Sequence, residues 1–234
     1  MQVCWPTANS IVSCSADKTV ACWDANKGIR TRKFLEHTAI VNSVAVAKEA
    51  PHLIASGSDD CTVILWDARS KKSVGSIYHD YQVCAVALAA DGQSVYAGGI
   101  DNTIRRFDLR SGVKYGWDVS KLDLDTPDLV LEGHTDTITG LSLSPDGNHL
   151  LSNAMDSQLR CWDVRPFASG GPGAKDSRVS AEFCFCSFYL HCLVFKPFLV
   201  LNASSHSCSL SFLLSFPQLI PLTTPRCPSH SVSM

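Results

Sequence analysis

The sequence is short of three things. One is a surplus of charge of either sign: Asp, Glu, Lys and Arg make up an ordinary 18% of the 234 residues and nearly cancel, at a formal net charge of -2. A phosphate-binding surface draws on a surplus of Lys and Arg, so this balance argues against a strongly basic nucleic-acid binder and leaves contact with RNA indirect. Nor is an export leader expected, because MQVCWPTANSIVS has neither a basic start nor a long apolar run. The eleven cysteines therefore read as reduced thiols of a cytosolic or nuclear protein. Cys4, Cys14, Cys22, Cys84 and Cys161 lie in or beside strand-like stretches and read as small apolar residues. Finally, no segment before residue 168 sustains an apolar period of a helix.

What is present is a repeat. IVSCSADKTVACWD, IASGSDDCTVILWD, YAGGIDNTIRRFD and LLSNAMDSQLRCWD each place an aspartate six residues before an aromatic that is itself followed by Asp. The pairs are Asp17 and Trp23, Asp60 and Trp66, Asp101 and Phe107, and Asp156 and Trp162. The closing aspartates Asp24, Asp67, Asp108 and Asp163 are 43, 41 and 55 residues apart. A period in the low forties that ends in Trp-Asp is the signature of propeller blades, each a four-stranded antiparallel sheet. Copy four predicts strands in TITGLSLS, NHLLSNA and QLRCWDV, with turns at Pro145 to Gly147 and Met155 to Ser157. Copy three predicts CAVALA, SVYAGG and TIRRFDL around an Asp91-Gly92 turn, where glycine accepts the positive φ.

Two copies carry more of the pattern: His37, Ser56, Asp60 and Trp66 in one, and His134, Ser152, Asp156 and Trp162 in the other. These sets resemble the WD-repeat family. The resemblance implies a chain of hydrogen bonds from Trp to Ser to His to Asp that ties a loop to a strand within each blade. Ser, His and Asp together also suggest a hydrolase, but a nucleophilic triad occurs once, in a cleft, beside an oxyanion hole. This set recurs at blade spacing, so no catalytic residue and no cofactor is expected. Copy three keeps His79 and Asp101 but has Ala97 and Phe107 in place of Ser and Trp, so its chain is expected to be broken and its blade the softest. Copy one has no His.

Three repeat ends read Trp/Phe-Asp-x-Arg, with Asp67 and Arg69, Asp108 and Arg110, and Asp163 and Arg165. This resembles the motif by which some WD-repeat proteins dock, as substrate receptors, on the adaptor of a cullin-based ubiquitin ligase. The plainer reading is a strand-end arginine paired with a nearby acid. LLSNAMD followed by WDVRPF, with YQVCAVAL and GGIDNTIRRFDLR, resembles the spliceosomal members of the family. That resemblance covers residues 1 to 168 and implies a non-enzymatic nuclear scaffold whose partners are spliceosomal proteins.

The sequence therefore predicts an all-β, incomplete WD40 propeller of about four of an expected seven blades, at 1–33, 34–74, 75–110 and 129–168. A loop insertion is expected at 111–128, where Trp117-Asp118 has no aspartate six residues before it. After Val164 the chain offers FASGGPGAKDSR, a poor fourth strand, and a Gly-rich linker is placed at 169–182. The tail at 183–234 is apolar and rich in Ser, Cys, Phe and Leu. Residues 183–201 are nearly long enough to span a membrane, although Lys196 and Pro197 interrupt them. Of the 38 residues from 183 to 220, 28 are Phe, Ser, Leu, Cys or Pro, a set encoded by pyrimidine-rich codons and typical of translated intron. An isoform end or gene-model error, a membrane anchor and an unstructured tail are the alternatives. Cys184, Cys186, His191 and Cys192 make a weak zinc signal, because adjacent His and Cys do not easily share one tetrahedral ion.

Overall fold

Stretches such as VILW are apolar at consecutive positions, and a strand can bury such a run only if both of its faces are covered. The computed structural model shows how this is met; it describes residues 2–50, 52–110, 126–165 and 179–184. Among the described residues there is no helix, and sixteen strands form four antiparallel four-stranded sheets. Sheet one holds β1 (Val3–Thr7), β2 (Ser10–Cys14), β3 (Val20–Asp24) and β4 (Ile29–Phe34). Sheet two holds β5 (Val41–Val46), β6 (Leu53–Ser58), β7 (Thr62–Asp67) and β8 (Ser73–Tyr78). Sheet three holds β9 (Val83–Leu88), β10 (Ser94–Gly99), β11 (Thr103–Asp108) and β12 (Leu129–Glu132). Sheet four holds β13 (Ile138–Leu143), β14 (His149–Ala154), β15 (Gln158–Asp163) and β16 (Val179–Cys184).

The core lies between neighbouring sheets. Val63 and Leu65 of β7 pack with Val86, Val95 and Phe107 of sheet three. Ile64 and Trp66, on the opposite face of the same strand, pack with Cys4, Val12 and Phe34 of sheet one. Sheet three is covered in the same way, because its Tyr96, Ile104 and Leu131 join Ile138, Leu150 and Trp162 of sheet four. Alternation along each strand thus persists, but both sides are apolar and the period is hidden. Polar groups stitch the same seams: Ser43 Oγ accepts the Val86 N–H at 3.1 Å, and Asn42 Nδ2 donates to the Val83 carbonyl at 3.0 Å. Where sheets approach most closely there is no room for a side chain. A Cβ on Gly57 would stand 2.5 Å from Val86.

One turn recurs in all four sheets. The residue after each repeat aspartate has positive φ, at Lys18 (68°), Cys61 (64°), Asn102 (61°) and Ser157 (62°). None of these is glycine, and the left-handed conformation costs such residues energy. In three of the turns the preceding aspartate offsets that cost by accepting the N–H two residues on: Thr19 at 3.2 Å, Thr62 at 3.1 Å and Gln158 at 2.9 Å.

The sheets cut the chain differently from the blade boundaries read from sequence. The outer strands of sheets one to three precede the next repeat histidine, so β8 crosses the expected 74/75 boundary and β12 lies beyond residue 110. Sheet four does acquire a fourth strand. It is β16, which crosses the boundary drawn at 182 between linker and tail and pairs Arg160 with Glu182. Residues 111–125, with Trp117 and Asp118, and 185–234, with Cys186, His191 and Cys192, lie outside the described residues.

Candidate functional site

The repeated His, Ser, Asp and Trp side chains meet at one end of sheets two and four. In sheet two the Trp66 indole N–H donates to Ser56 Oγ at 2.7 Å, His37 Nε2 lies 2.7 Å from the same oxygen, and His37 Nδ1 lies 2.9 Å from Asp60 Oδ2. Sheet four repeats the geometry: Trp162 to Ser152 at 2.7 Å, Ser152 to His134 at 2.6 Å, and His134 to Asp156 at 2.8 Å. One assignment of protons satisfies the whole chain. A carboxylate can only accept, so it selects the Nδ1–H tautomer; Nε2 then accepts the Ser O–H, and Ser Oγ accepts the indole N–H. Each aspartate also accepts the N–H that follows its histidine, from Thr38 at 2.9 Å and from Thr135 at 3.1 Å. One carboxylate therefore joins the turn before the third strand to the loop before the first.

Sheet three brings these positions together without the bonds. Ala97 has no hydroxyl, and His79 Nε2 is buried with no partner. His79 packs its ring edge-on to Phe107, with 5.7 Å between ring centres. Asp101 turns to Arg105 at 3.1 Å and to the Thr103 hydroxyl at 2.6 Å, leaving its Oδ1 buried and unpaired. Sheet one keeps part of the set, since the Trp23 indole donates to Ser13 at 2.9 Å. Ser13 was not among the residues singled out from the sequence, although it stands ten before Trp23 as Ser56 does before Trp66. The threonines that bond the turn aspartates, Thr19, Thr62 and Thr103, were also missed, and their recurrence two residues after each Asp was the available signal.

The three Asp-x-Arg ends are each closed on themselves. Arg69 Nε and Nη2 reach the two carboxylate oxygens of Asp67 at 3.0 and 2.7 Å. Arg110 does the same to Asp108 at 3.1 and 3.0 Å, and Arg165 forms the equivalent fork on Asp163. These bonds hold all three carboxyls below the usual carboxylate range. Among the described residues no group of His, Cys, Asp and Glu is placed to hold a metal ion.

A model of the family described as "WD domain, G-beta repeat" matches residues 1–24, 28–67, 71–108 and 126–163. Together these make up more than half of the chain. The chain belongs to the WD-repeat family. Among its relatives, "Pre-mRNA-splicing factor cwf17" of Schizosaccharomyces pombe is 41% identical over 166 residues, or 70% of this chain and 45% of that protein. The Homo sapiens "U5 small nuclear ribonucleoprotein 40 kDa protein" is 44% identical over 145 residues, 62% of this chain and 37% of that protein. "Protein SPA1-RELATED 3" of Arabidopsis thaliana is 32% identical over 171 residues, 72% of this chain and 19% of that protein. The chain spans less than half the length of these curated relatives.

Within this WD-repeat chain the titrating groups give stability a defined pH dependence. Burial raises the Asp60 and Asp156 carboxyls, but hydrogen bonds from Thr62 and His37, and from His134 and Thr135, outweigh it and leave both below their ordinary value. Their stabilisation is complete above the unfolded-state value and disappears as pH falls through the folded one. His79 contributes in the same sense. Burial and the nearby Arg105 charge push its imidazole below the usual value, against the pull of Asp101 and Asp80. Below about pH 6.5 the unfolded chain takes up a proton that the folded chain refuses, so stability falls until the folded histidine is also protonated. Urea denaturation followed from neutral to mildly acidic pH should show this decline. The decline should flatten in His79→Phe; an unchanged slope would assign it to other groups.

Proposed function

We propose that this chain is a non-enzymatic, protein-binding WD-repeat scaffold that acts in the nucleus, in pre-mRNA splicing. The observation that carries the reading is its 41% identity to a relative named as a pre-mRNA-splicing factor, extending over 70% of the chain. Similarity to proteins named as ribonucleoprotein subunits supports it further. The structure supports the non-enzymatic part on a physical ground: Ser56 and Ser152 have no exposed surface, and a nucleophile must reach its substrate. Partners are other proteins, with RNA held only indirectly. The ubiquitin ligase reading draws on the Asp-x-Arg ends, where each guanidinium is already paired within the chain. A membrane tether would rest on residues 185–234, outside the described part; among the described residues no helix is long and apolar enough to cross a membrane. Affinity capture of the tagged chain from nuclear extract is expected to recover splicing proteins, and naked RNA should bind weakly. Recovery of a cullin ligase adaptor or of membranes in their place would refute the reading, as would tight, salt-sensitive binding of bare RNA.

A further inference from the structure

The chain-wide balance of charge hides a local excess. KGIRTRK, at residues 27–33, carries four cations and no acid, and RSKK, at residues 69–72, carries three more. The structure sets the two stretches side by side. Arg32 Nη2 donates to the Arg69 carbonyl at 3.1 Å, and the Ser73 N–H donates to Glu36 Oε1 at 3.0 Å. The acids in this neighbourhood are engaged: Asp24 faces Lys27 at 3.9 Å, Asp67 is held by Arg69, Glu36 by Ser73, and Asp17, which also feels the Lys33 charge, by Thr19. Arg30, Lys33, Lys71 and Lys72 are exposed.

These cations also flank an open edge. β4 ends its sheet and pairs only with β3, so among the described residues its other edge presents unpaired backbone N–H and C=O groups. Lys and Arg on an edge strand commonly serve to prevent edge-to-edge aggregation. That purpose does not explain their placement here, because the other outer strands, SVGSIY of β8, LVLE of β12 and VSAEFC of β16, carry no Lys or Arg. The β4 strand itself is basic and the other three outer strands are not.

We propose that the β4 edge, with the adjoining 69–72 turn, docks an acidic, extended segment of a partner protein, which adds to sheet one as a further strand. The segment's main chain would bond to β4 while its carboxylates meet Arg30, Lys33, Lys71 and Lys72. A phosphodiester chain could satisfy the charge, but it has no amide N–H to give the β4 carbonyls. The peptide meets both demands. The site does not depend on which complex the partner belongs to.

The test is fluorescence anisotropy on the full chain with short labelled probes: a peptide alternating Glu and Thr, its Lys and Thr counterpart, and an oligouridylate. The Glu peptide should bind, more weakly as salt rises, and the Lys peptide should not. Arg30→Glu with Lys33→Glu should weaken binding several-fold or more, and so should Lys71→Glu with Lys72→Glu, which leaves β4 untouched. N-methylation of the peptide's amides should abolish binding. Four outcomes would overturn the proposal: no binding of the Glu peptide, tighter binding of the oligouridylate, wild-type affinity in both charge-reversed variants, or undiminished binding of the N-methylated peptide.

Discussion

Replacing Trp66 by Ala should lower stability by about 3–5 kcal/mol. Trp66 has no exposed surface and packs on Phe34 of sheet one, with 4.8 Å between ring centres. Its indole N–H also donates to Ser56. Truncation therefore opens a void in the seam between two sheets and takes a donor from the buried chain in one step. Trp23 provides the control, because it holds the same place in sheet one but is 36% exposed. Trp23→Ala should cost much less. Urea denaturation of both variants makes the comparison, and equal losses would mean that the seam does not depend on the tryptophan as described.

His134→Ala should destabilise by roughly 1–3 kcal/mol, because it leaves Ser152 Oγ and Asp156 Oδ2 short of a buried partner. His79→Ala should cost less. Both histidines are buried and both pack edge-on against an aromatic ring, so truncation opens a similar void at each. They differ in bonding, since His79 Nε2 already lacks a partner. The difference between the two variants thus isolates the hydrogen-bonded chain from packing. If His79→Ala proves as damaging as His134→Ala, the chain adds nothing beyond side-chain volume.

Much of this could be read from the sequence for one reason: the Asp-to-Trp spacing fixes a turn and a strand, and it recurs. The inner strands followed from it, as CAVALA, SVYAGG and TIRRFDL became β9, β10 and β11. The outer strands were harder. IRTRKF of β4 lacks apolar alternation, because this edge strand buries little of itself, and the short alternating VSAEFC of β16 is set apart from its repeat by a long Gly-rich stretch. The loss of Ser at position 97 was visible in one letter, whereas the capture of Asp101 by Arg105 depends on how side chains meet in space. The left-handed residues were hidden for a similar reason. Lys18, Cys61 and Ser157 look like ordinary residues, and the turn aspartates make their conformation tolerable.

The central claim is that a complete His, Ser, Asp and Trp chain locks its sheet, and native-state hydrogen exchange tests it most directly through β6 and β10. Both are inner strands of sheets covered on two faces, so packing treats them alike. Only β6 carries the serine of a complete chain. The backbone amides of Leu53–Ser58 should exchange more slowly than those of Ser94–Gly99. Equal protection, or greater protection of β10, would contradict the account.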